Sequence, residues 1–270
     1  MVSPTTPSSL LALADSASPS EGRWQVPDGW QQGRGAWGGL VIAAIVRAAS
    51  QAEASAGFPL RSVRSVSAQI VSPVVVGEAL VDVTEVRRGS ATATWMVTIT
   101  SENTTAVHAT VVFGDDRSGE AIPHRPPAPV HVPSWTDIPL VDIGPPLAPP
   151  FLQHLRMRPV SGLPYTGSTD DIVVWLSYPE GHLDAAAMLA LVDGPWPVPL
   201  VRICEARPMA TLSFMATALI DPAHLDSDQP LLFRSELLGE SAGYATERRQ
   251  LWTPDGRLAV ENLQLITIIT

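Results

Sequence analysis

Apolar residues run with almost no polar interruption from Leu40 to Ala49, where Leu40-Val41-Ile42-Ala43-Ala44-Ile45-Val46 is followed by Arg47 and then Ala48-Ala49. A helix that is apolar on every side is a buried helix. It is entered from a glycine-rich turn, Gly33-Arg34-Gly35-Ala36-Trp37-Gly38-Gly39, and broken at Gly57-Phe58-Pro59. Beyond it the period changes from helical to alternating. Strands are predicted over Val63–Val71, Ala79–Val86, Ala91–Thr100 and Ala106–Phe113, separated by the turn signals Ser72-Pro73, Arg87-Arg88-Gly89 and Ser101-Glu102-Asn103. One buried helix ahead of a set of antiparallel strands predicts a sheet wrapped around that helix. The glycine pair has two readings. It permits tight helix–sheet packing, or it leaves free amide N–H groups at a helix N-terminus, where a carbonyl oxygen or an anion can be held.

The same order recurs in the second half. Phe151–Met157 and Asp171–Tyr178 are expected as strands, and His182–Asp193 as an apolar helix stopped by Gly194-Pro195. Strands then follow over Ala210–Leu219, Leu231–Leu238, Tyr244–Trp252 and Leu258–Ile269, with the turn Thr253-Pro254-Asp255-Gly256 before the last. A repeat this long is a duplicated domain, not a solenoid. Ten prolines fall between Pro123 and Pro150. That density forbids helix and inner strand and predicts an extended linker or surface loop. The expected organisation is a flexible arm over 1–20 with a short helix near Leu10-Leu11-Ala12-Leu13, a first domain over 21–116, the linker over 117–150 and a second domain over 151–270. In the first domain, Trp24 is read as ending a short strand before the turn Val26-Pro27-Asp28-Gly29.

Composition narrows the chemistry. Hydrophobic residues make up 45% of the chain and charged residues 16%, enough for a sizeable core. A net charge of −10 with no basic run argues against nucleic acid and anionic membranes as partners. All 17 basic residues are arginine, which removes lysine Schiff-base chemistry and a Walker-type phosphate loop. No apolar run reaches the ~18 residues of a membrane span. The N-terminus lacks a basic n-region, so the cell interior (cytoplasm) is the expected location. The one cysteine, Cys204, excludes an internal disulfide and is read as a small core residue. His108, His124, His131, His154, His182 and His224 show no partner spacing and are assigned to surface or loops, and no metal motif occurs. No Gly-x-Ser-x-Gly elbow is present. Glu236 and Glu247 are read as exposed strand residues without a role.

Three stretches together carry a resemblance. Trp37-Gly38-Gly39-Leu40-Val41-Ile42-Ala43, Arg207-Pro208-Met209-Ala210-Thr211-Leu212-Ser213 and Trp252-Thr253-Pro254-Asp255-Gly256-Arg257-Leu258-Ala259-Val260-Glu261-Asn262-Leu263-Gln264 resemble, in order and spacing, the acyl-CoA thioesterase II family. The resemblance spans about Gly22 to Ile269 outside the linker. It implies an α+β double hotdog, in which each repeat is a long buried helix wrapped by an antiparallel sheet. The family holds and activates its attacking water with an Asp, a Thr and a Gln. Gln264 matches the glutamine. The aspartate position falls on Ser213 and the threonine position near Leu238 or Gly239, so two of the three polar positions are not matched.

Asp193 is the substitute. It closes the second apolar helix, and its place resembles the helix aspartate of single-hotdog thioesterases of the phenylacetate type. A carboxylate there is desolvated, which raises its pKa toward that of a general base; the other reading is an ordinary helix-end turn aspartate. The candidate catalytic residues are Asp193, Gln264 and Ser213, and the candidate substrate-binding residues are Trp37, Gly38 and Gly39. The topology brings them to one cleft. The resemblance implies hydrolysis of an acyl-CoA or acyl-carrier thioester by water, with no cofactor beyond the CoA thioester substrate and with assembly into a homo-oligomer. The alternative is a catalytically weakened double hotdog that binds acyl thioesters or serves as an assembly module.

Overall fold

The computed structural model describes residues 12–59, 61–117, 129, 132–146, 148–179 and 183–269. After a one-turn helix α1 (Leu13–Ser16) come β1 (Arg23–Val26) and a small hairpin, β2 (Gln31–Gln32) with β3 (Gly35–Ala36). The buried helix α2 spans Gly38–Ser55. β4 (Ser62–Ile70), β5 (Gly77–Arg88), β6 (Thr92–Ser101) and β7 (Thr104–Gly114) complete the first half. The second contains β8 (Arg156–Ser161), β9 (Ile172–Ser177), α3 (Ala185–Leu191), α4 (Val198–Arg202), β10 (Met209–Ala218), β11 (Leu231–Ser241), β12 (Tyr244–Trp252) and β13 (Leu258–Ile268).

All strands but β2 and β3 form one eleven-stranded sheet, ordered β1-β5-β6-β7-β4-β10-β13-β12-β11-β9-β8, and every pair in it is antiparallel. The halves join where β4 meets β10, through pairs such as Val66 with Ala216 and Ala68 with Phe214. The two outer edges, β1 and β8, are short, and β8 carries Pro159; both features blunt an exposed edge.

From Gly39 to Ala49 every residue of α2 except Arg47 is buried, as its all-round apolar pattern requires. α2 and α3 lie antiparallel. Arg47 Nη2 meets Asp184 Oδ2 at 3.1 Å at one end, and Trp37 Nε1 donates to the Asp193 carbonyl at 2.9 Å at the other. Asp184 also caps α3, accepting from Ala187 N at 2.7 Å.

Several expectations need correcting. The second helix is seven residues long, not twelve: Asp184 caps it, so it begins only at Ala185, and it ends at Leu191, with Val192 as its C-terminal cap. Its expected start at His182 lies outside the described residues. Phe151–Met157 is not a strand. Pro150 opens a 3-10 turn over Pro150–His154, and β8 begins only at Arg156. The N-terminal arm is tied down from Leu13 onward: Arg47 Nη1 donates to the Leu13 carbonyl at 2.7 Å, and Trp24 Nε1 to that of Ser16 at 2.8 Å. Leu10 and Leu11 lie outside the described residues. The described part of the proline-rich stretch packs onto the sheet's second face, where Val132, Trp135 and Ile138 cover Trp175, Leu232 and Trp252. Trp175 Nε1 donates to the Pro133 carbonyl at 3.0 Å, and Arg158 Nη1 to that of Ile138 at 2.6 Å. Cys204 is exposed rather than core. His154 is buried instead, stacked on Trp30 with ring centroids 3.7 Å apart, while His124, His131 and His182 lie outside the described residues.

Candidate functional site

Asp193 follows α3, and its side chain is 7% exposed. Gln264 Nε2, on β13, donates to its Oδ1 at 2.9 Å. Arg249 Nη1, on β12, reaches the same oxygen at 3.3 Å. The other oxygen, Oδ2, lies against the start of α2: a Cβ added to Gly38 would sit 2.7 Å from it. Glycine at 38 is therefore a space requirement set by Asp193. Gly39 answers to a different neighbour, since its added Cβ would fall 2.2 Å from Cζ2 of the Trp37 indole.

Burial is the main influence on the Asp193 carboxyl and raises its pKa above the ordinary 3.8. The Arg249 charge, the Gln264 amide and the Gly39 backbone N–H oppose that rise. Glu247, fully buried on β12, is the second partner of Arg249, with Nε to Oε2 at 3.0 Å. It also accepts from Ser235 Oγ at 3.2 Å and from the Val198 backbone N–H. Burial again raises its pKa. The expectation that Glu247 is an exposed strand residue is thus wrong. Its side chain holds the arginine that holds the aspartate.

Ser213 does not join this group. The register of β10 against β13 breaks between Thr211 and Ser213. Before the break Thr211 is paired with Ile266, on the face of Gln264; after it Ser213 is paired with Leu265, on the other face. The inward hydroxyl is Thr211, whose Oγ1 donates to Gln264 Oε1 at 3.1 Å. The sequence offered Ser213 because alternation alone carries no sign of the extra residue. Leu238 and Gly239 are exposed.

Trp37 offers no surface to a ligand, being 0% exposed. Its ring stacks on Phe151 at 4.9 Å and on Trp30 at 6.1 Å, and its N–H is committed to the Asp193 carbonyl. It fixes the turn that carries the aspartate and is not a substrate contact. A cavity of about 20 Å³ opens among Gln32, Asp193, Pro195, Thr211, Arg249 and Ile266. That is room for one water with polar partners. No group of His, Cys, Asp and Glu able to hold a metal occurs among the described residues.

The structure therefore gathers Asp193, Gln264, Gly38 and Gly39, adds Thr211, Arg249 and Glu247, and sets Ser213 apart. A desolvated carboxylate can accept a proton from water, and the N–H donors of a helix N-terminus beside it can stabilise an oxyanion.

Solved structures similar to this chain share its architecture. A conserved protein of unknown function with hot dog fold from Alicyclobacillus acidocaldarius superposes with a TM-score of 0.85 at 24% identity, covering 96% of this chain and 98% of that one. A putative thioesterase II from Thermobifida fusca YX gives 0.80 at 19%, over 96% and 97%. The tesB protein of Mycobacterium avium subs paratuberculosis gives 0.72 at 14%, over 96% and 98%. These likenesses show the double hotdog fold. No curated protein sequence matches the chain. The family model for the acyl-CoA thioesterase N-terminal domain matches residues 26–114, and that for the acyl-CoA thioesterase C-terminal domain matches 123–268. With both halves matched in order, the chain belongs to the acyl-CoA thioesterase family.

Proposed function

We propose that this protein hydrolyses acyl-CoA or acyl-carrier thioesters by direct attack of water, with Asp193 as general base. In this reading a water in the cavity beside Asp193 gives its proton to the carboxylate and its oxygen to the thioester carbonyl. The developing oxyanion is held at the start of α2 by first-turn N–H groups, which have no intrahelical partner, other than that of Gly39, which Asp193 already engages. The C–S bond then breaks, and the thiolate leaves as the free thiol after taking a proton, with a carboxylic acid as the second product. Gln264 orients Asp193, and Thr211 orients Gln264. The carrying observation is the Asp193 carboxylate, desolvated yet ringed by Gln264, Arg249 and the glycine pair. Free-thiol release from acyl-CoAs of graded chain length tests it: hydrolysis of at least one supports the reading.

A second reading is favoured by two observations. The cavity beside Asp193 is about 20 Å³, too small for an acyl group without movement of its walls, and Arg249 is already paired with the aspartate. Both suit a protein that binds acyl thioesters without turning them over. Binding without thiol release, for every member of the same panel, decides for it.

A further inference from the structure

The internal repeat sets the buried ion pair beside Asp193 against an apolar counterpart. β4 breaks its register against β7 between Val63 and Ser65, as β10 breaks against β13 between Thr211 and Ser213. Matching the two breaks places Val63 on Thr211. The pairings then place Val111 on Gln264, since they face Val66 and Phe214. One strand further, Trp95 falls on Glu247, facing Val111 and Gln264, and Val97 on Arg249, facing Ala109 and Asn262. All four first-half residues are buried, and the one polar atom among their side chains, Trp95 Nε1, donates to Glu53 Oε2 at 2.8 Å. The same fold thus closes over apolar side chains where the second half buries a carboxylate, a guanidinium, an amide and a hydroxyl. A buried ion pair is a weak source of stability, and apolar residues of similar volume often serve as well or better. The first half uses that option, so packing alone does not account for Glu247 and Arg249.

Arg249 is shared between two carboxylates, with Nε on Glu247 Oε2 at 3.0 Å and Nη1 on Asp193 Oδ1 at 3.3 Å. Glu247 is the more firmly held of the two. It accepts from Ser235 Oγ and from the Val198 backbone N–H as well as from the arginine. Asp193, Thr211 and Arg249 border the small cavity, and Glu247 does not. Glu247 therefore reaches a water in that cavity only through Arg249. The charge balance gives this contact a consequence. An arginine facing Asp193 alone would close a neutral pair with it and oppose protonation of the carboxylate. With Glu247 ionised behind the arginine, two negative charges face one positive, and a proton on Asp193 restores neutrality in a site that water does not screen. The other side chains around Asp193 are uncharged: Gln32 on β2, Trp37 at the start of α2, Thr211 on β10, Gln264 on β13, and Tyr178 after β9. The Tyr178 hydroxyl donates to the Ala187 carbonyl at 3.0 Å, and burial pushes its pKa well above the usual value.

We propose that Glu247 is a positioning residue for the Asp193 base: it holds Arg249 by Nε, offsets its charge, and so leaves Asp193 free to take the proton of the attacking water. The inference rests on the reading of Asp193 as general base, and its test follows the carboxyl groups directly as well as the rate. Carboxyl carbon NMR of the full chain, with signals assigned through Asp193→Asn and Glu247→Gln, tracks each group through a pH titration. In the wild type, Asp193 should take up its proton at a higher pH than Glu247. In Glu247→Gln the arginine charge falls on Asp193 alone. Asp193 should then titrate at a lower pH, the acid limb of kcat/KM should move down with it, and kcat should fall about ten-fold with KM little changed. Glu247→Asp, which keeps the charge, should titrate and turn over closer to the wild type than Glu247→Gln. Earlier protonation of Glu247 than of Asp193 in the wild type, a measurement that needs no variant to fold, would overturn the proposal. So would an unmoved Asp193 titration in a folded Glu247→Gln, and if the wild type hydrolyses thioesters, this proposal alone is then lost. An Asp193 titration that moves while the kinetic limb stays would remove Asp193 from the base role, and this proposal with it.

Discussion

The Gln264 side-chain amide donates to Asp193 Oδ1 at 2.9 Å, across a separation of 71 residues in sequence. The two residues come from different elements, the end of α3 and the middle of β13. Each is nearly solvent-free, so the bond fixes the carboxylate in a site where water does not compete.

Thr211 and Ser213 separate the observed network from the one alternation suggests. Thr211→Val removes the donor to Gln264 Oε1, and a typical hydrogen bond of about 1 kcal/mol corresponds to roughly a five-fold loss in kcat. Ser213→Ala should leave kcat unchanged. Steady-state rates of thiol release for both variants check this, and an effect from Ser213→Ala alone would reverse the assignment.

The two glycines should fail differently. Gly39→Ala forces the new methyl into the Trp37 ring and should destabilise by about 1–3 kcal/mol, seen in chemical denaturation. Gly38→Ala meets the Asp193 carboxylate instead. It should depress thiol release ten-fold or more, with a smaller loss of stability than Gly39→Ala.

The buried carboxylates predict opposite pH effects. Asp193 has its folded pKa raised above 3.8, chiefly by burial. Its contribution to stability is full below the unfolded pKa and is lost as pH rises through the folded one. The stability of Asp193→Asn relative to wild type should therefore improve between pH 4 and neutral pH. Glu53 is lowered from 4.5, chiefly by its hydrogen bonds from Arg88 at 2.7 and 3.0 Å. Its contribution is full above the unfolded pKa and is lost as pH falls through the folded one. Glu53→Gln should cost on the order of 3 kcal/mol at pH 7, and the gap to wild type should close in acid. Denaturation midpoints across pH check both.

The kinetic counterpart follows from the same shift. A general base must be ionised, so kcat/KM should fall as pH drops through a pKa above the ordinary aspartate value. A profile flat down to pH 4 would remove Asp193 from that role.

Much of the fold was legible because its signals are local. The unbroken apolar run of α2 and the alternation in β5, β6, β7 and β12 state burial directly. The stop at Gly194-Pro195 was legible, but the later start of α3 was not read from Asp184, whose side chain caps the helix. The site was legible in part. Asp193 stood out as the charge closing an apolar helix, and Gln264 as the polar residue matching a family position. Arg249 and Glu247 did not, because a buried ion pair on a strand reads in sequence like two ordinary surface charges. Thr211 was hidden by the register break, which only the pairing with β13 reveals. His154 is buried, and the linker residues Trp135 and Ile138 half-buried, by contacts distant in sequence, which periodicity does not report.

The central claim is that Asp193 activates the water. Free-thiol release from a graded acyl-CoA panel, measured side by side for wild type and Asp193→Asn, tests it most directly. Loss of a positioned general base costs on the order of 10²–10⁴ in rate. The wild type should hydrolyse at least one thioester, and Asp193→Asn should lose that activity by this factor while melting within a few degrees of wild type at neutral pH. Full activity in Asp193→Asn would contradict the account and leave Asp193 a residue of the helix end alone.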